Sequence, residues 1–218
     1  MILFMAAAFV AGAQEIVTAD DYFESISSTY GEITDYEAEI SVVQGEAEME
    51  GTIYYKSPNK LRIDFTAPED QYLLVNDEAL TIFIPEHQVL LKQHLPRRSK
   101  ASLASMASSQ GLIYLRENYK IAYVLGPEPV PLDEGSGVMV VNLKFMWRAT
   151  AEGFKDLEIA FDEDGLIRRV KGITATNVEV MFDFSNIRIN QGLPDEHFLL
   201  DDPPSAYEYK NFLFGDEE

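Results

Sequence analysis

The chain predicts a mainly β protein, a curled antiparallel sheet with a few helices, and three observations carry that expectation. Apolar and polar residues alternate with period two along most of it, as in Leu61, Ile63 and Phe65 against Lys60, Arg62, Asp64 and Thr66, the mark of a strand with one buried face. Turn chemistry such as Ser57-Pro58-Asn59, Ala67-Pro68-Glu69-Asp70 and Pro85-Glu86 separates these runs. Helical spacing is confined to one stretch near the N-terminus and one midway. With 218 residues and 46% apolar content, the chain can bury a sizeable single core and is too apolar for wholesale disorder.

The opening MILFMAAAFVAGAQE ends its apolar run in Ala11-Gly12-Ala13. That reads as a signal peptide over residues 1–13 with an A-x-A cleavage site, too short to span a bilayer. The basic region expected before it is missing, as would be expected of a start codon lying upstream. Residues 14–218 then form one exported domain. Asp20 or Asp21 is expected to cap a first helix, with Tyr22, Phe23, Ile26 and Tyr30 on one face and Gly31 at its end. The period then changes. Tyr36 to Val42, Met49 to Tyr55, Lys60 to Thr66, Tyr72 to Val75, Leu80 to Ile84 and Val89 to Leu91 read as strands.

Residues 97–118, rich in Ala and Ser, interrupt the strands with a pair of short helices divided at Gly111. Leu103, Met106 and Ala107 share one helical face of the first; Leu112, Ile113 and Leu115 belong to the second. Strands resume at Ile121 to Leu125. The cleanest alternation is Met139, Val141, Leu143, Phe145 and Trp147. Leu157, Ile159 and Phe161 lead into Asp162-Glu163-Asp164-Gly165, read as a type I′ hairpin turn. The stretch also hints at a calcium loop, but it lacks the third acidic position and the distal Glu, so the turn is the better reading. Two further strands run from Leu166 to about Thr174 and through Val178, Val180, Phe182 and Phe184, before an irregular, Pro-rich tail over residues 191–218.

That makes roughly ten or eleven strands joined mainly by short turns, hence a curled meander. Every apolar strand face needs cover, and two or three short helices are too few to cover ten strands tightly. Either the sheet closes on itself or a cavity remains that takes an apolar guest. The candidate lining comes from the alternating stripes: Met49 and Ile53, then Leu61, Ile63, Phe65 and Val75, then Ile82 and Ile84. The lid contributes Leu103, Met106 and Leu112, and the far strands Met139, Val141, Leu143, Phe145, Trp147 and Phe182. Met49, Met106 and Met139 suit a site that adapts to flexible chains.

Charge and motifs narrow the function further. The formal charge is −20, with no Lys or Arg before Lys56, which repels nucleic acid and anionic membrane surfaces. There is no Cys, so no disulfide, thiolate metal site or Cys nucleophile is available, nor an acylated N-terminal Cys. His87, His94 and His197 fall in no metal-binding spacing, no GxSxG or phosphate-binding loop occurs, and no cofactor is implied. A non-catalytic binding module is expected, with a solid-cored structural envelope protein or an envelope hydrolase as rivals. Arg97, Arg98 and Lys100 form the densest basic run, where the lid begins and where a helix dipole disfavours cations. With Arg62, they are candidates for contact with a headgroup or an acidic partner surface.

The run YYKSPNKLRIDFTAPEDQYLLVNDEALTIFIPE resembles the outer-membrane lipoprotein carrier family, the LolA-type periplasmic chaperones. Lys56, Pro58, Asn59, Phe65, Pro68, Val75 and Asp77 fit the family's order of strand, turn and strand. The tail GLPDEHFLLDDPP is similar to its closing segment through Leu193, Pro194, Phe198 and Pro203-Pro204. The resemblance covers residues 19 to 205. It implies an unclosed half β-barrel under an α-helical lid, and a monomer that holds acyl chains of triacylated lipoproteins and carries them through the periplasm. Its partners would be an ATP-driven inner-membrane release complex of the ABC type and an outer-membrane acceptor. Other apolar lipids or glycolipids are the alternative cargo. One position departs from the family: Ser57 stands where carriers often place an Arg implicated in handing cargo on.

Overall fold

The computed structural model describes residues 17–76, 79–94, 108–148, 154–174, 177–199, 203 and 205–211. The expected signal peptide, the first lid helix and the tail beyond residue 211 lie outside them. Among the described residues, 13 strands form one sheet that does not close into a barrel. The strands are β1 (Asp35–Gln44), β2 (Ala47–Lys56), β3 (Lys60–Ala67), β4 (Tyr72–Asn76), β5 (Ala79–Ile84), β6 (Val89–His94), β7 (Tyr119–Tyr123) and β8 (Val130–Pro131). They continue with β9 (Met139–Trp147), β10 (Phe154–Asp162), β11 (Ile167–Thr174), β12 (Glu179–Ile189) and β13 (Tyr207–Lys210). Their spatial order is β13-β6-β5-β4-β3-β2-β1-β12-β11-β10-β9-β7, with β8 also paired to β9.

Two meanders therefore meet where β1 pairs with β12 across the length of the chain. Asp35, only 3% exposed, secures that junction. Its carboxylate accepts the Gln191 and Gly192 N–H groups at 2.8 and 3.1 Å, and its carbonyl accepts Asn190 N–H at 2.7 Å.

The strand count exceeds the sequence expectation at the short pieces. β8 occupies the turn-rich stretch before Met139, and β13 lies in the tail expected to be irregular, running parallel to β6. Its Tyr207 N–H donates to Gln88 O at 2.7 Å. The β10–β11 connection is also different from the type I′ expectation. Only Gly165 has positive φ, +77°, whereas a type I′ turn needs it at both central residues. Asp162 instead accepts the Asp164 and Leu166 N–H groups on Oδ1 at 3.1 and 2.9 Å, an Asx-type closure.

Helix α1 (Ala19–Gly31) begins earlier than Asp20 or Asp21 would allow as caps. Thr18 is the N-cap, its hydroxyl oxygen accepting Asp21 N–H at 3.2 Å, and the two Asp residues sit in the first turn beside the helix's positive end. Helix α2 (Ser109–Asn118) runs through Gly111 rather than breaking there, because Ser108 caps it through Gly111 N–H at 3.1 Å.

Gly51 fixes how closely β2 and β3 approach. A Cβ there would sit 2.3 Å from the Asp64 carbonyl oxygen and 2.9 Å from Phe65 Cα, both backbone atoms that no rotamer change can move. Gly51→Ala is expected to lower stability by about 3 kcal/mol, the upper end of overpacking costs, read as a lower urea midpoint with unchanged slope.

Candidate functional site

Residues directly opposite one another in an antiparallel pair share a face, so the register defines what the inner face presents. From β3 to β6 it presents Leu61 and Ile63 opposite Val75 and Leu73, Leu73 opposite Ile82, then Ile82 and Ile84 opposite Leu91 and Val89. On the other meander it presents Leu143 and Phe145 opposite Ile159 and Leu157. The predicted stripes thus do converge on one surface. Ile53, Leu61, Ile63, Leu112, Leu143 and Phe145 join a single apolar cluster, and Met49, Phe65, Val75, Trp147 and Phe182 pack on its margin.

The two helices cover that surface unevenly. Phe23 of α1 meets the Phe145 ring at 5.0 Å and the Phe161 ring at 6.1 Å, both edge to face. Tyr30 Oη accepts the Ile167 N–H at 2.9 Å. On α2, Tyr114 meets Trp147 at 6.4 Å, and Leu112 and Leu115 are fully buried. All of these partners lie on β9, β10 and β11. There Leu143, Phe145, Leu157, Ile159 and Phe161 are 0% exposed, so this half of the inner face is a solid core.

Exposure returns on the other meander. Phe65, Leu73, Val75, Ile82, Ile84, Val89 and Leu91 are all half-buried. They form a contiguous apolar strip across β3, β4, β5 and β6, and Met49 flanks it, also half-buried, on β2. Leu80 and Gln93, on the same face of β5 and β6, are buried, so among the described residues the half-buried positions make a strip rather than a whole face. The expected lining residues divide accordingly. Leu112, Val141, Leu143 and Phe145 are core; Met49, Phe65, Val75, Ile82 and Ile84 are half-buried, away from α1 and α2; Met139 is 43% exposed. Leu103 and Met106, with Arg97, Arg98 and Lys100, lie outside the described residues. Leu73, Val89 and Leu91 complete the strip and were absent from the sequence expectation, although Val89, Leu91 and Gln93 carry the same period-two signal.

Arg62 is on the opposite face, as alternation with Leu61 and Ile63 requires. Its Nε donates to Asp64 Oδ1 at 2.7 Å and its Nη1 to His197 O at 2.8 Å. It helps strap the C-terminal segment across the outer face, where Leu193 and Phe198 pack on Leu74 and Tyr54. Lys56 and Lys60 bracket Asp195 at 2.6 and 3.2 Å, and hydrogen bonds from these two ammonium groups hold its carboxyl below the usual carboxylate range. Among the described residues, no group of three or more His, Asp or Glu side chains comes together as a metal site.

In fold, the chain is similar to an uncharacterized conserved protein from Thermus thermophilus, with a TM-score of 0.55 and 11% identity over 87% of this chain and 97% of that one. It is also similar to the MucA/MucB complex structure of Pseudomonas aeruginosa, with a TM-score of 0.51 and 11% identity over 84% of this chain and 61% of that one. No curated protein matches it in sequence. The model of the outer membrane lipoprotein carrier protein LolA matches residues 41–201, which span every strand from β2 to β12, and the chain belongs to that family.

Proposed function

We propose that the half-buried strip on β3, β4, β5 and β6 binds the acyl chains of lipoproteins, and that the protein escorts them through the periplasm from the inner to the outer membrane. The observation that carries this reading is the contrast within one face: one half is sealed by α1 and α2, while the other presents a row of seven aliphatic and aromatic side chains to partial solvent. Leaving such a row open forfeits burial worth about 25 cal/mol per Å², and contiguous exposed apolar surface on a soluble protein marks a binding site. An acyl chain has the matching need, since each methylene it hides from water is worth about 0.8 kcal/mol. Family membership supports a carrier rather than an enzyme. The same membership supports a reading in which an ATP-driven inner-membrane complex loads the carrier and an outer-membrane acceptor receives its cargo. Ser57, in place of the Arg implicated in hand-over, means that delivery here uses other contacts.

The test is to purify the protein from its native envelope and analyse what accompanies it. Acylated polypeptides in the mass spectrum are the expected result. Free lipids or glycolipids alone would establish the same fold with a different cargo, and a preparation that neither carries nor takes up any acyl ligand would overturn the reading.

A further inference from the structure

A cleft at the far end of the inner face is separate from the strip on β3–β6. It lies between the last turn of α1 and the β1–β12 junction, and its walls include Tyr30, Ile33, Tyr36, Leu166, Ile187 and Ile189. It is partly open to solvent, and inside it there is room for about one water. The register slips here between Glu37 and Glu39 on β1, and Asn186 of β12 takes a φ of +51°. Irregularities of this kind re-aim side chains beside functional sites.

Tyr36 makes this cleft unusual. It is only 5% exposed, its ring stacks on Tyr55 at 5.1 Å, and its hydroxyl is buried with no hydrogen-bond partner. Its neighbours each have a partner: Tyr30 Oη accepts from Ile167 N–H, and Tyr55 Oη donates to Pro58 O at 3.4 Å. A buried hydroxyl without a partner costs about 1–3 kcal/mol, a cost phenylalanine would avoid. Burial raises the phenol's pKa well above its usual value, so it stays a donor at any physiological pH. The missing partner is an acceptor. It is uncharged, because burying an ion in this apolar cleft is prohibitive. Apart from the tyrosine hydroxyls the side chains lining the cleft are apolar, so no side chain of the lining supplies that acceptor. We infer that the cleft receives the carbonyl end of an ester- or amide-linked acyl chain, with Tyr36 Oη donating to the carbonyl oxygen. The half-buried Leu166 and Ile187 and the exposed rim residue Ile189 give way as the chain enters. This inference rests on the reading that the protein takes acyl cargo.

The experiment compares the full chain with Tyr36→Phe. Binding of a long-chain methyl ester, and of an alkane of matching length, is measured by displacement of a fluorescent acyl probe. The variant is expected to unfold at higher urea than the parent. It should bind the ester about five- to tenfold more weakly, as the loss of one neutral hydrogen bond requires, and leave the alkane unchanged. A parent protein that binds both ligands and a variant that binds them equally well would overturn the inference while leaving the carrier reading intact. So would a crystal structure of the ester-saturated parent with only a water on Tyr36 Oη. A parent that binds neither ligand would remove the carrier reading itself.

Discussion

Phe23→Ala is expected to destabilise the protein by about 3–5 kcal/mol, the range for truncating a fully buried aromatic. Phe23 is 0% exposed and is the point at which α1 grips the sheet, its edge or face against both Phe145 and Phe161. The helix has 13 residues, a length at which an isolated helix is marginal in water. Its helicity therefore depends on docking, and Ile26 and Tyr30, one and two turns further on, cannot replace the lost ring. Against a total stability of about 5–15 kcal/mol, the loss is large enough to unfold a substantial fraction at 37 °C. The chain's one tryptophan, Trp147, reports the event directly, because its ring lies 4.7 Å from Tyr119 and 6.4 Å from Tyr114 in the layer that α1 and α2 seal. Urea unfolding followed by its fluorescence should show an earlier midpoint. A shift worth less than about 1 kcal/mol, below the cost of any ordinary core truncation, would mean that α1 is not what closes this half of the sheet.

Most of the sheet was legible in the sequence because a strand's face is written locally, in alternation. The runs Leu61-Ile63-Phe65 and Leu143-Phe145-Trp147 need no distant information to declare which side is buried, and the helical spacing of Phe23, Ile26 and Tyr30 is equally explicit. β13 was not legible. All four of its residues are exposed, so no periodicity marks it. It is a strand only because the returning tail meets the edge of β6. Met139 shows a different limit. It shares the parity of Val141, but β10 ends at Asp162, opposite Val140, so Met139 stands beyond the last covering pair. The site was legible as a face and not as a place. Alternation names every inward residue on both meanders, whereas the difference between solid core and open strip is made by where α1 and α2 lie. Tyr36 was read as one more apolar strand residue, and nothing in its neighbours along the chain indicates that its hydroxyl would be left unpaired.

Joint replacement Ile82→Glu and Leu91→Glu should abolish most acyl binding, by about 100-fold or more. The two side chains face each other directly across β5 and β6 in the middle of the half-buried strip, so an acyl chain lying along it would have to cover two carboxylates. Stripping water from an unpaired carboxylate is far costlier than any gain from the hydrocarbon contact, and 100-fold corresponds to only about 2.7 kcal/mol. The fold should survive, because both positions already see solvent and the charges can remain hydrated when no ligand is bound. Like charges opposite one another across a ladder do destabilise it somewhat, so the comparison needs a matched change on the same strand. Thr81→Glu supplies one: Thr81 neighbours Ile82 but points to the outer face, opposite Lys92 and its partner Glu208, where a carboxylate touches no cargo. The expected outcome is loss of acyl-probe binding in the inner-face pair, unchanged binding in Thr81→Glu, and similar circular dichroism in both. Retention of wild-type affinity by a folded inner-face pair would show that the cargo lies elsewhere, since no chain can rest on that strip without burying the introduced charges.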